Sequence, residues 1–223
     1  MSFGDEGSVD LQVKSKKRVA DHGEVFTAQR EVNAMLDLVK HETERIDSRF
    51  LEPACGDGNF LVEILRRKLD VVDSRYRKSQ SDWELYSVVA ISSIYGVDIL
   101  EDNAIECRKR LLGIYIERYS TLFKKDCKGD CIRSVEFILS RNILWGDALD
   151  FTNPITKEAI VFSEWSAVSG NMMKRRDYVF KFLVEQTHQF SMFNDEGNAA
   201  TIDEPIRDFP MTHFLKLGQD DRN

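Results

Sequence analysis

Apolar residues recur at helical spacing in several stretches of this chain, separated by short apolar runs that end in an acid or a glycine. Val32, Met35, Leu36 and Val39 share one face of a predicted helix, with Thr27 placed to cap it. Phe60, Leu61, Ile64, Leu65 and Leu69 predict a second helix. Ala104, Cys107, Leu111, Leu112, Tyr115 and Tyr119 predict a third, starting near Asp102, whose apolar face is core. Val179, Phe180, Leu183 and Val184 predict another, ending near Phe190. Parallel strands are predicted near residues 49–54, 94–99, 142–147 and 159–164, with Val88, Val89 and Ile91 adding β-branched material before the second. Residues 70–84 read as a polar loop or insertion, and a charged loop runs through Asp130. Strand alternating with helix predicts the α/β class.

Three segments follow from this pattern: a polar arm over residues 1–22, one domain over 23–190, and a loop with a short terminal element over 191–223. Beyond Trp165 there is apolar material for one or two further strands, Phe209, Met211, Phe214 and Leu215 among it, so the expected sheet is truncated. With 223 residues the chain has room for one such domain and a real core. Its start is polar and acidic, unlike a secretory signal, and no apolar run approaches a bilayer span, which predicts a soluble cytoplasmic protein.

Charge narrows the candidate partners. The net charge is −7, whereas a protein gripping duplex DNA alone usually shows a basic face. Basic residues come in short clusters: Lys14, Lys16, Lys17 and Arg18; Arg108, Lys109 and Arg110; Lys174, Arg175 and Arg176. The second cluster, on a helix, reads as solvated surface; the third is the candidate phosphate contact. Cys127 and Cys131 are spaced like half a zinc site, but no second pair or suitable histidine completes four ligands, so the four cysteines read as reduced thiols.

The richest chemistry lies in E-P-A-C-G-D-G-N-F-L at residues 52–61. A strand runs into a tight glycine turn and then a helix N-terminus. Glycines there let the backbone approach a ligand, and the free N–H groups favour a polar or anionic group. A Gly-x-Gly turn alone is a common feature, but the whole string resembles the S-adenosylmethionine (SAM) loop of adenine-specific DNA methyltransferases, those of restriction–modification systems especially. G-E-V-F-T at 23–27 resembles the segment before that loop, with Ala28 where the family usually has proline. G-V-D-I at 96–99 and G-D-A-L at 146–149 resemble the next two cofactor segments, in family order.

The resemblance implies a Rossmann-like class I methyltransferase fold, a three-layer α/β/α sandwich. It implies SAM as cofactor, held by Phe26, Thr27, Glu52, Cys55, Gly56, Gly58, Asn59, Phe60, Asp98, Ile99, Asp147 and Ala148. Phe26 and Thr27 would meet the methionine end, Asp98 both ribose hydroxyls, Ile99 the adenine face and Asp147 the exocyclic amine. Glu52 and Asp98 stand further apart than the roughly 20 residues of a dinucleotide-binding unit.

The resemblance stops after residue 149. The family holds its target amine with Asn/Asp-Pro-Pro-Tyr/Phe after the fourth strand, and this chain has no such string. Asn153-Pro154 precedes the apolar run at 159–162 and reads as a turn. Glu164 and Trp165 follow that run, an acceptor beside an aromatic, and are the catalytic candidates; a strand end with one outward acid and one buried aromatic explains them equally well. The leading expectation is an adenine-N6 DNA methyltransferase, working with a target-recognition or other modification-system subunit and binding DNA weakly alone. The alternatives are a SAM-binding pseudo-enzyme that lost catalysis, or a methyltransferase for another substrate.

Overall fold

The computed structural model describes Arg18, residues 27–181 and residues 204–222. The elements run α1 (Gln29–Asp37), α2 (Lys40–Thr43), β1 (Phe50–Glu52), α3 (Asn59–Tyr76), α4 (Gln80–Ser92), β2 (Ile94–Asp98), α5 (Glu101–Phe123), α6 (Gly129–Asn142), β3 (Ile143–Trp145), β4 (Val161–Val168), β5 (Met172–Val179), β6 (Arg207–Asp208) and β7 (Thr212–His213). A 3-10 turn (Lys124–Asp126) joins α5 to α6, and a 3-10 helix (Phe214–Arg222) follows β7. The protein is mixed α/β, with a parallel sheet in the order β1-β2-β3, compatible with a Rossmann-like arrangement. No helix among the described residues is long and apolar enough to cross a membrane.

On one face of the sheet lies the larger core. Ile94 and Ile143 meet Leu61, Leu65, Leu69, Val88, Ile91, Leu111 and Ile138 from α3, α4, α5 and α6. Trp83 sits at its centre, fully buried, with ring centroids 5.2 Å from Tyr119, 5.5 Å from Phe123 and 5.8 Å from Tyr115. Its indole N–H donates to Asp73 at 2.7 Å, so the ring is buried without an unpaired donor.

Residues 70–84, expected as a loop, are helical: α3 continues to Tyr76 and α4 begins at Gln80, capped where the Ser79 hydroxyl accepts the Asp82 N–H. The α3 stripe runs through Leu65, Lys68, Leu69 and Val72, where a lysine fills a core position and hides the period. Lys68 is buried, donating to the Ile46 and Ser48 carbonyls and the Ser93 hydroxyl. Val88 and Ile91, expected as strand material, belong to α4. That helix buries Trp83, Glu84, Ser87, Val88, Ala90, Ile91 and Ser92, polar and apolar residues together, so it shows no amphipathic contrast and tertiary packing overrides β-branching. The charged loop expected through Asp130 is a 3-10 turn, Lys124–Asp126, and it gives way to α6 at Gly129; Cys131, Val135, Ile138 and Leu139 give that helix its buried face.

The other face of the sheet departs from expectation more sharply. The fourth strand is not a parallel neighbour of the first three. β4 pairs antiparallel with β5 through the register Val161↔Val179 to Val168↔Met172, and β6 and β7 pair with β5. Gly170 and Asn171, both at positive φ, make the tight hairpin turn. Tyr95 and Val97, the β2 side chains opposite the helices, pack on Ile160, Phe162 and Phe180. Among the described residues this hairpin, not a second layer of helices, covers that face of β2.

The helix expected from Val179 starts one residue later: Val179 ends β5, and Phe180 and Lys181 are helical. Leu183, Val184 and Phe190 lie outside the described residues. Met173, Arg175 and Asp177 are the inward positions of β5. An ion pair occupying two of them made a strand read as a polar segment. The short terminal element joins the main core through Phe214 and Leu217, packed against α6.

Candidate functional site

Parallel pairing brings the three acid-bearing strand ends together at one end of the sheet. Glu52 stands level with Gly96, and Asp98 level with Trp145, two residues before Asp147. Ligands of parallel α/β sheets bind outside such carboxyl ends. Between β1 and α3 hangs the glycine turn. The Cys55 N–H donates to the Val97 carbonyl at 2.9 Å, and the Gly58 N–H to the Cys55 carbonyl at 2.8 Å.

Gly58 caps α3 in the left-handed region, at φ 96°. A Cβ there would stand 2.6 Å from the Cys107 sulfur, so both backbone conformation and space require glycine. Gly96 serves a different need. Its missing side chain lets Cys55 and Leu61 lie against β2, where a Cβ would meet them at 2.9–3.1 Å.

Asp98, 7% exposed, fastens the turn to β2. One carboxylate oxygen accepts the Gly56 N–H at 2.8 Å; the other accepts the Leu100 N–H at 2.9 Å and the Asn103 amide at 3.2 Å. A carboxylate offers about four acceptor positions. Three are spent on the protein, leaving one, whereas the resemblance implied contacts to two ribose hydroxyls.

Glu52 is the opposite case. It is half-buried, makes no hydrogen bond or ion pair among the described residues, and burial raises its pKa above the ordinary carboxylate value. A partly desolvated carboxylate at a strand end is a ready acceptor for a cationic or hydroxyl-bearing ligand. Asp147 accepts the Leu149 N–H at 2.8 Å and the Asp150 N–H at 3.4 Å through one oxygen, shaping the turn after β3. Ile99 is 44% exposed at the end of β2, and its carbonyl accepts the Trp145 indole N–H at 3.0 Å. Ala148 packs at the edge of the smaller core.

The remaining cofactor candidates divide. Asn59 opens α3 and donates to the Thr27 carbonyl at 3.2 Å, bringing the segment before α1 to the glycine turn. Thr27 is not the cap of α1: the capping position is Ala28, without a side-chain bond. Phe60 is partly buried against the main core. The Cys55 side chain is buried, and its neighbours Cys107, Asp98 and Glu52 push the thiol far above its ordinary pKa, so only its backbone faces the turn's chemistry. Phe26 lies outside the described residues.

The catalytic candidates sit elsewhere. Glu164 pairs with Arg49, the residue before β1, at 2.5 Å, and Trp165 donates to Asn142, which precedes β3, at 3.0 Å. Both therefore stand at the amino ends of the parallel strands, opposite the glycine turn. The expectation placed them beside the donor because it assumed a parallel fourth strand; the antiparallel hairpin removes that premise. Trp165, 6% exposed, packs edge-on to Phe137 and is a core residue.

Within the basic cluster only Arg175 is buried. Arg175, 6% exposed, makes a two-pronged pair with Asp177 at 2.9 Å and donates to the Ser163 hydroxyl at 3.1 Å; its guanidinium lies 4.1 Å from the Phe209 ring centroid. It belongs to the core. Lys174 pairs with Asp208, and Arg176 lies between Glu164 and Asp208 at 3.9 and 3.8 Å.

Sequence reasoning missed the underside of the turn. Asn103, Cys107 and Arg110 share one face of α5 and touch Asp98, Gly58 and the residues flanking Gly58 respectively. Their helical spacing was the available signal. Compared with protein-family models, curated proteins and solved structures, the chain matches none.

Proposed function

We propose that this chain binds SAM at the carboxyl ends of β1 and β2, as the methyl-donor module of an adenine-N6 DNA methyltransferase that works with a partner subunit. The observation that carries the reading is the glycine turn, tied to β2 through Asp98 and opening α3 beside the Glu52 carboxylate, which has no partner among the described residues. The residues present fit the group. The first N–H groups of α3 lack acceptors within the helix and suit a carboxylate. Glu52 suits the ammonium, the remaining acceptor position of Asp98 one ribose hydroxyl, and the exposed face of Ile99 the adenine ring. SAM supplies an electrophilic methyl on a sulfonium; the protein's part is to fix the donor, keep the reacting end from water and present it to the amine.

The fold that goes with this reading is the class I methyltransferase domain, with the β4–β5 hairpin replacing one helical layer. A net charge of −7 and the engagement of Lys174, Arg175 and Arg176 with carboxylates support delegation of DNA contacts to the partner.

A second reading is favoured by one observation. Glu164 and Trp165 lie at the far end of the sheet, which suits a SAM-binding regulatory subunit without turnover of its own. Incubation with labelled SAM and DNA, alone and with the products of neighbouring genes, separates the two. Label in adenine N6 supports the methyltransferase; SAM binding with no label under any combination supports the regulatory subunit.

A further inference from the structure

The glycine turn is held from below by a single guanidinium. Arg110, on α5, donates to the Asp57 carbonyl at 2.9 Å through Nη1 and to the Asn59 side-chain oxygen at 2.9 Å through Nη2, and its Nη1 forms an ion pair with the Asp57 carboxylate at 2.8 Å. Asp57 and Asn59 flank Gly58. Asn59 in turn reaches the Thr27 carbonyl, so the same guanidinium governs the turn, the start of α3 and the segment before α1. Its planar fork meets several acceptors at fixed angles, which an ammonium on a flexible stem does not reproduce.

There is an electrostatic consequence as well. Three acids, Glu52, Asp57 and Asp98, gather around a turn whose ligand would carry a carboxylate. Arg110 neutralises the one inside the turn. Without it, Asp57 both loses its anchor and repels an incoming carboxylate.

Resting on the donor reading above, we propose that Arg110 is a positioning residue that sets the turn for the amino-acid end of the methyl donor. It acts through Asp57 and Asn59 and discriminates in favour of ligands that carry the methionine group over adenosine alone.

The test compares Arg110→Met, which removes charge and fork, with Arg110→Lys, which keeps only charge. Calorimetry with SAM and with adenosine supplies one readout; amide hydrogen exchange of residues 57–59 in the ligand-free full chain supplies the other. Loss of a charge-assisted hydrogen bond of the strong class weakens binding about tenfold or more. Arg110→Met is expected to weaken SAM by that factor while changing adenosine less than about twofold, with Arg110→Lys recovering only part. Exchange at 57–59 is expected to accelerate in Arg110→Met. Equal weakening of SAM and adenosine, unchanged SAM affinity, or unchanged exchange overturns the proposal. If the wild-type chain binds no SAM, the donor reading fails, and the exchange comparison still decides whether Arg110 sets the turn.

Discussion

Replacing Asp98 by asparagine keeps the shape of the side chain and changes its hydrogen-bond polarity, which makes it the sharpest probe of the turn. The carboxylate accepts from Gly56, Leu100 and Asn103, all from a site that is 7% exposed. Asparagine has one acceptor oxygen. If that oxygen keeps Leu100 and Asn103, its NH2 faces the Gly56 N–H, donor against donor; the flipped amide saves Gly56 and sets donors against the other two. At least one hydrogen bond to a charged acceptor is lost, typically about 1.5–3 kcal/mol, and a buried N–H is left unpaired at about 1–3 kcal/mol more. These overlap, so about 2–4 kcal/mol of stability should go. Urea unfolding followed by circular dichroism measures it. SAM affinity should fall at least about tenfold in the same variant, because the turn and the ribose acceptor fail together. Unchanged stability would refute the claim that Asp98 fastens the turn, whatever happens to binding.

Three further variants test the surrounding architecture. Gly58→Ala combines a left-handed backbone with a Cβ 2.6 Å from the Cys107 sulfur, so it should cost upward of about 1–2 kcal/mol in urea unfolding and be partly relieved by Cys107→Ala in a double variant. Arg175→Ala breaks a buried pair and should lower stability by about 3–5 kcal/mol while leaving SAM affinity within about twofold; a selective loss of DNA binding without destabilisation would contradict the core assignment. Burial lowers the pKa of Lys68 to about 7, against about 10.4 in an unfolded chain. Between those values the unfolded chain binds the extra proton, so stability should rise with pH across that window, and Lys68→Met should remove the rise.

The carboxyl end of the sheet was legible because its parts are local. Gly58 and the α3 stripe sit within a few residues of each other, and Glu52, Asp98 and Asp147 each end an apolar run. What failed was long-range or disguised. Lys68 sits in a helical core stripe, and α4 buries so much of its surface that Val88 and Ile91 resemble a strand. In β5 the inward positions are filled by Arg175 and Asp177, so an alternating strand reads as a charged surface segment. Gly170-Asn171 was a readable hairpin signal, and taking it up would have paired β4 with an antiparallel β5 in place of the helix expected there. Arg110 escaped for a related reason: beside Arg108 and Lys109 it looks like solvated charge, and only the fold brings Asp57 and Asn59 to it.

The most direct test of the central claim is calorimetric titration of SAM into the full chain, with Glu52→Ala titrated in parallel. The account predicts saturable one-to-one binding by the wild type and a clear loss of affinity in the variant, since the carboxylate has no partner among the described residues whose loss would weaken the fold instead. No binding by the wild type, or equal binding by a folded Glu52→Ala protein, would contradict it.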